Sequence, residues 1–162
     1  MGSTPTVSTI CTTSFIVAFS YKHIFIRMRL RLTKMNDISA SEKDITEVQD
    51  FCKFCISKLS IQGDVSVCLV GKTKNPIGMS TGGFDIQTHK IFARYHGRAL
   101  IDILRSICHE LVHYRQKELK KFVVGDDIPN IGGEIEDEAN SLTGQIVKMY
   151  VSEKNKSYLY GY

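Results

Sequence analysis

Two histidines four residues apart constrain this chain more than any other feature of its sequence. The segment His109-Glu110-Leu111-Val112-His113 contains both, and a carboxylate directly follows the first. In an α-helix the two imidazole rings would leave the same face, about 6 Å apart along the axis. Neutral imidazoles at that spacing suit Zn²⁺, and the neighbouring carboxylate can accept a proton from a water molecule that the metal activates. The motif therefore predicts a helix with two metal ligands, His109 and His113, and a general base, Glu110.

The residues before the motif favour a buried helix. The ten positions that precede His109 contain no Gly or Pro, and only Asp102 and Arg105 among them are charged. Apolar side chains recur there at spacings of three, four and seven residues. We therefore expect the rest of the fold to cover most of this helix. The alternative is a core helix whose two histidines bind no metal.

A second helical pattern downstream supplies a candidate for the third ligand. A catalytic zinc usually has three protein ligands and one open position. The pattern begins with Glu134, Glu136 and Glu138. Glu136 is the predicted ligand because Asn140 lies one turn later on the same face, where its carboxamide can hydrogen-bond to a ligand histidine. Glu138 and Glu134 remain alternatives, since helical phase is uncertain at a helix start and acidic residues there also offset the helix dipole.

These two segments resemble a known family. Residues 102–116 (DILRSICHELVHYRQ) and 136–144 (EDEANSLTG) are similar to small zincin-type metallopeptidases of the gluzincin kind, particularly uncharacterised ones encoded by tailed phages. The resemblance covers about half of the chain. It implies that His109, His113 and Glu136 hold zinc, that Glu110 is the general base and that Asn140 supports His109. It also implies a zinc-dependent metallopeptidase that hydrolyses peptide bonds.

The chain departs from the family pattern at two points. Cys108 stands where many relatives have Ala, but adjacent helix positions point about 100° apart, so its thiol is predicted to face the core. The His or Tyr that steadies the oxyanion in larger members has no unambiguous match. Tyr114, Tyr150 and His96 are the candidates for that role.

Two other functions fit the same motif. One is a zinc-binding protein without proteolytic activity, such as a virion-associated or interaction protein that uses its cleft only for binding. The other is a deformylase-like hydrolase of another amide, a group that takes an upstream cysteine as third ligand, for which Cys68 is the candidate. Zinc is the expected cofactor, and a peptide or protein is the expected substrate.

The remaining patterns predict an α+β fold. Residues 64–70 and 90–95 alternate as strands, with Gly82-Gly83 and residues 87–89 as turns between them. A capping box at residues 41–44 precedes an apolar helical stripe that ends near residue 59. The resemblance implies a minimal zincin-like fold, in which a small, mostly antiparallel sheet packs against the active-site helix and the second metal-ligand helix.

An extended substrate is expected to bind as an added strand. In the zincin group a strand near the active-site helix pairs with the substrate along its open edge, which is recognition by strand addition. Residues 79–84 and residues 90–95 are the two candidates for that edge strand. The sequence does not order the strands, so both remain open.

Cysteine usage indicates a reducing compartment. The chain has five cysteines, an odd number in apolar settings, which argues against a secreted disulfide framework. Cys52 and Cys55 have the spacing of a metal or redox pair, but both fall on the apolar stripe and no second pair follows, so they are predicted core residues. The cytoplasm, or the host cytoplasm for a phage-encoded protein, is the expected location.

The positive charge of the chain is concentrated at its start. Residues 1–34 hold five basic side chains and no acidic one, which leaves 16 basic and 17 acidic side chains for the rest. The folded domain is therefore not expected to bind nucleic acid. Residues 1–36 are predicted to be a leader or a disordered extension, too interrupted for a membrane span and with organellar targeting as an alternative. Residues 37–162 are predicted to form one domain.

Overall fold

The fold combines three α-helices with one five-stranded sheet. A computed structural model describes residues 13–21, 24–35, 38–71, 81–122 and 133–161. In chain order the elements are β1 (Thr13–Tyr21), β2 (Ile24–Lys34), α1 (Glu42–Leu59), β3 (Val65–Val70), β4 (Gly82–Asp85), β5 (Lys90–Arg94), α2 (Leu100–Glu118) and α3 (Glu134–Glu153), followed by a short 3₁₀ helix, Ser157–Tyr160. The helices pack against the sheet, so the predicted α+β class is confirmed.

The sheet is mixed and has the strand order β1-β2-β3-β5-β4. The β1-β2 and β4-β5 pairings are antiparallel, whereas β3 is parallel to both of its neighbours, β2 and β5. The prediction of a mostly antiparallel sheet is therefore wrong. The chain passes from β2 through helix α1 to β3, and such a crossover connection joins parallel strands.

Strand β2 shows that the fold begins before residue 37. Leu30 and Leu32 are only 1% and 4% exposed and belong to the hydrophobic core, while Arg29 and Arg31 between them are exposed. This is the period-two alternation of a half-buried strand. The prediction that residues 1–36 form a leader or disordered extension is therefore corrected for the described residues of β1 and β2. Residues 1–12 lie outside the described part of the chain.

Strand β4 forms one edge of the described sheet. Gly82 and Gly83, predicted to be a turn, instead begin β4, while residues 86–89 make the turn to β5. Within the described residues, strand β4 has only β5 as a neighbour, whereas β5 lies between β4 and β3. Of the two predicted edge segments, the described part of residues 79–84 is therefore at the edge and residues 90–94 are not. Residues 79 and 80 lie outside the described residues.

The predicted helices and buried cysteines lie where the sequence places them. Ser41 is the N-cap of α1, and its side chain accepts a hydrogen bond from the Asp44 backbone N–H. Cys52, Cys55 and Cys108 are each 0% exposed and are free thiols, which confirms that they are core residues. Among the helices that the structure describes, none is long and apolar enough to cross a membrane.

A buried carboxylate fastens the end of the chain to α1. Glu47 is 5% exposed and accepts hydrogen bonds from the hydroxyls of Tyr150 and Tyr158 and from the Lys156 ammonium group. Burial by itself would raise the pKa of Glu47, but these hydrogen bonds and the charge of Lys156 outweigh it, so that the pKa is lowered. The ionised form of Glu47 therefore stabilises the packing of α3 and the 3₁₀ helix against α1.

Replacing Glu47 with Gln is expected to lower the free energy of unfolding by about 1–3 kcal/mol at pH 7, because an amide nitrogen cannot accept these hydrogen bonds. A group with a lowered pKa stabilises the fold above its unfolded pKa and loses that contribution as pH falls through its folded pKa. The unaltered chain should therefore lose more stability than Glu47→Gln between pH 5 and pH 3. Urea unfolding across that range measures the difference.

Glu153→Gln is the matched control, because Glu153 pairs with Lys58 at 2.8 Å with a side chain that is 48% exposed. Such exposed pairs contribute about 0–1 kcal/mol. If Glu47→Gln and the unaltered chain lost stability equally at acid pH, Glu47 would not be the ionised anchor described here.

Candidate metal centre

The two helices that the motifs predict bring three potential metal ligands together. His109 and His113 lie one turn apart on α2, and Glu136 lies in the first turn of α3. Helix α3 packs against α2, and Ala139 of α3 is 0% exposed. Its small side chain permits the close approach of the two helices that the sequence indicated.

The donor atoms of these side chains converge on a common point. His109 Nε2 lies 3.2 Å from one Glu136 oxygen, and His113 Nε2 lies 3.0 Å from the other. The two Nε2 atoms are 3.0 Å apart. Among the described residues, these three form the group of His, Cys, Asp and Glu side chains with ligand atoms within 4.8 Å of one another.

Both the kinds of donor and their spacing fit zinc. Zn–N and Zn–O distances of about 2.0–2.1 Å in a tetrahedral site put neighbouring donors about 3.3 Å apart. The observed separations of 3.0–3.2 Å are close to that value. Two histidines and a glutamate are also a donor set of catalytic zinc sites, which leave the fourth position open.

The side chains of the group are only partly exposed. The exposed fractions are 22% for His109, 11% for His113 and 12% for Glu136. Burial and the charge of His113 lower the pKa of His109, while Glu136 and a hydrogen bond with Asn140 oppose that change. The Asn140 side chain is therefore in contact with the first histidine, as the sequence predicted for a supporting residue.

Glu110, the predicted general base, is buried beside this group. It is 6% exposed and accepts a hydrogen bond from the backbone N–H of Phe84 in β4. Burial, and after it the charge of Glu136, raise the pKa of the Glu110 carboxyl to about 8, although the hydrogen bond with Phe84 partly opposes both effects. A divalent cation held by the three donors would favour the ionised carboxylate, because opposite charges attract.

The free edge of β4 runs past this carboxylate. The Thr81 carbonyl accepts a hydrogen bond from the Arg94 backbone N–H at 2.9 Å. In an antiparallel pair of strands, hydrogen-bonded and non-hydrogen-bonded residues alternate. Gly82 and Phe84 therefore direct their backbone N–H and C=O groups away from β5. A Cβ atom on Gly82 would lie 3.4 Å from a Glu110 oxygen. Glycine at this position therefore allows the strand to pass close to the buried carboxylate.

A partly buried arginine, Arg98, links the start of this edge to α2. The Arg98 guanidinium group donates to the Thr81 carbonyl at 3.1 Å and to the Ser106 hydroxyl at 2.9 Å. Ser106 lies one turn before Glu110 on the same helix. The distance between the edge strand and Glu110 is therefore set by side-chain contacts as well as by the sheet.

The alternative third ligands lie outside the group. Glu138 is paired with Lys121 at 2.6 Å, and Glu134 is exposed. Cys68 lies in β3 with its thiol 3.8 Å from the Leu69 carbonyl oxygen. Of the candidate third ligands, the structure thus brings Glu136 alone to the two histidines within the described residues.

Two of the three candidates for the oxyanion role make hydrogen bonds to other groups, and the third is exposed. The Tyr114 hydroxyl donates to the Asp64 carbonyl at 3.0 Å, and the Tyr150 hydroxyl donates to Glu47. His96 is exposed in the turn that precedes α2. The two tyrosines are therefore not in position to steady an oxyanion in this conformation.

One residue beside the group, Gln116, was not predicted from the sequence. Its side-chain oxygen lies 2.8 Å from His113 Nδ1. A spacing of three residues puts Gln116 on the same helix face as His113, which is the only sequence signal for this contact.

No family model matches the chain, and no curated protein matches it.

Proposed function

We propose that this chain is a zinc-dependent metallopeptidase that hydrolyses peptide bonds. The observation that carries the proposal is the convergence of His109, His113 and Glu136 from two helices, with Glu110 buried next to them at the free edge of β4. The resemblance of the two helices to gluzincin-type metallopeptidases supports the same assignment.

Glu110 is assigned the proton transfers of the reaction. Zinc, when bound, supplies a Lewis acid that lowers the pKa of water and polarises the scissile carbonyl. The Glu110 carboxylate accepts a proton from the attacking water as its oxygen bonds to the carbonyl carbon. The same carboxyl group then delivers that proton to the departing nitrogen as the C–N bond breaks.

The free edge of β4 is the proposed binding site for the peptide. The backbone groups of Gly82 and Phe84 that point away from β5 are suited to pairing with an extended chain. A peptide added there would pass beside Glu110, since the Phe84 N–H is already in contact with that carboxylate.

Zinc content and proteolysis of the same preparation test the proposal. We expect one zinc per chain by atomic emission, and digestion of an unfolded protein such as denatured casein that stops with a chelator and returns with added zinc. The double variant His109→Ala/His113→Ala is the control for contaminating protease. Zinc binding without digestion would identify a zinc-binding protein that is not a peptidase, and a chain without zinc affinity would reject the proposal entirely.

A further inference from the structure

The buried side-chain amide of Gln116 makes hydrogen bonds through both its nitrogen and its oxygen. Gln116 is only 2% exposed. The amide nitrogen donates to the Ile135 carbonyl at 2.9 Å and to a Glu138 oxygen at 2.8 Å, and the amide oxygen lies 2.8 Å from His113 Nδ1. Leaving such a buried polar group unpaired is costly, so this orientation of the amide is strongly favoured.

The orientation of the amide determines which nitrogen of His113 carries the hydrogen. Both N–H bonds of the Gln116 amide are directed to oxygen acceptors, so its oxygen faces the imidazole and can only accept. His113 Nδ1 must then be the donor. In the neutral ring this leaves Nε2 with a lone pair, and Nε2 is the atom that faces His109 and Glu136.

The same amide connects the two helices of the proposed metal centre. Ile135 and Glu138 lie on either side of Glu136 in the first turns of α3. Glu138 is held from the other side by Lys121, whose ammonium group lies 2.6 and 2.7 Å from its two oxygens. The Lys121 backbone N–H also donates to the Gln116 carbonyl at 3.0 Å. These contacts tie the end of α2 to the start of α3.

We infer that Gln116 is a positioning residue of the metal centre, which holds the His113 ring with Nε2 free to bind and fixes the turn of α3 that carries Glu136. This inference rests on the proposed zinc site. Hydrogen-bond partners of metal-bound histidines orient the ring and raise its basicity, and their loss typically weakens metal binding 10–100-fold.

Gln116→Leu separates positioning from packing, because leucine fills a buried site but offers no hydrogen bond. We expect its zinc affinity, measured by competition with a chromophoric chelator, to fall about 10–100-fold. The visible absorption spectrum of the Co²⁺-loaded variant should also change, since it reports the geometry of the ligands. Tyr150→Phe is the control: it loses a buried hydrogen bond at the far end of α3 and should keep both the affinity and the spectrum.

A measurement on the unaltered chain tests the same inference if Gln116→Leu folds poorly. Two-bond ¹H–¹⁵N NMR spectra of the zinc-free chain report which ring nitrogen carries the hydrogen at a pH where the imidazole is neutral, and we expect it on Nδ1 of His113. Equal zinc affinity and equal Co²⁺ spectra for Gln116→Leu and the unaltered chain would overturn the inference and leave the zinc site standing. A zinc-free chain in which His113 carries its hydrogen on Nε2 would also overturn it. Failure of the unaltered chain to bind zinc would overturn the proposed function, and the inference with it.

Discussion

Glu110→Gln is expected to abolish peptide hydrolysis while one zinc per chain remains bound. The amide has nearly the shape of the carboxylate, but it cannot accept a proton from water. Loss of a general acid–base group costs on the order of 10²–10⁴-fold in rate. The zinc donors are on His109, His113 and Glu136 in our proposal, so zinc content should not change. The measurement is kcat/KM on a fluorogenic peptide, with zinc determined in the same samples.

Glu153→Gln is the matched control for this experiment. It makes the same chemical change at an exposed carboxylate at the end of α3, and its activity should equal that of the unaltered chain. Proteolysis that persists unchanged in Glu110→Gln would remove Glu110 from the mechanism. Loss of zinc from Glu110→Gln would instead indicate that the carboxylate has a role in holding the metal.

Glu136→Gln is expected to weaken zinc binding by more than about 100-fold, because the loss of partners that only support a ligand already costs 10–100-fold. The amide removes the negative charge and leaves two neutral imidazoles. Chelator competition measures the affinity directly. Far-ultraviolet circular dichroism should stay unchanged, since the Glu136 side chain is 12% exposed and is not part of the hydrophobic core.

Two neighbouring carboxylates provide the comparison. Glu134→Gln alters an exposed residue in the same turn of α3 and is expected to leave zinc affinity unchanged. Glu138→Gln should reduce the affinity less than Glu136→Gln does, because Glu138 pairs with Lys121 and Gln116. A larger loss in Glu138→Gln than in Glu136→Gln would transfer the role of third ligand to Glu138.

Local patterns predicted the helices of this protein well and its sheet less well. The spacing of apolar residues that predicts α2 and α3 depends on neighbours three or four positions apart, so a single sequence contains it. Strand pairing depends on residues far apart in the chain. The β2 alternation of Arg29, Leu30, Arg31 and Leu32 is visible in the sequence, but its acid-free setting favoured interpretation as a leader. Only the parallel pairing of β2 with β3 shows why Leu30 and Leu32 are buried.

Some residues of the candidate site could also be predicted from local spacing, whereas one could not. The common helix face of His109 and His113, and the choice of Glu136 ahead of Glu138, follow from helical spacing and the position of Asn140. Gln116 could not be assigned in the same manner, because a glutamine near the end of a helix is common and its role depends on what lies opposite. Its partners on α3, Ile135 and Glu138, are more than 18 residues away in the chain.

Local sequence patterns are enough to identify the chemical groups of the candidate site: two imidazoles on one helix face, a carboxylate beside the first, and a third donor on a later helix. Those features are set by the fixed geometry of the α-helix, which relates side chains within one or two turns. Tertiary packing determines which donor atoms lie close together, which strand forms the edge beside Glu110, and which amide orients His113. These depend on the packing of elements distant in sequence, where ångström differences in approach decide whether two side chains touch.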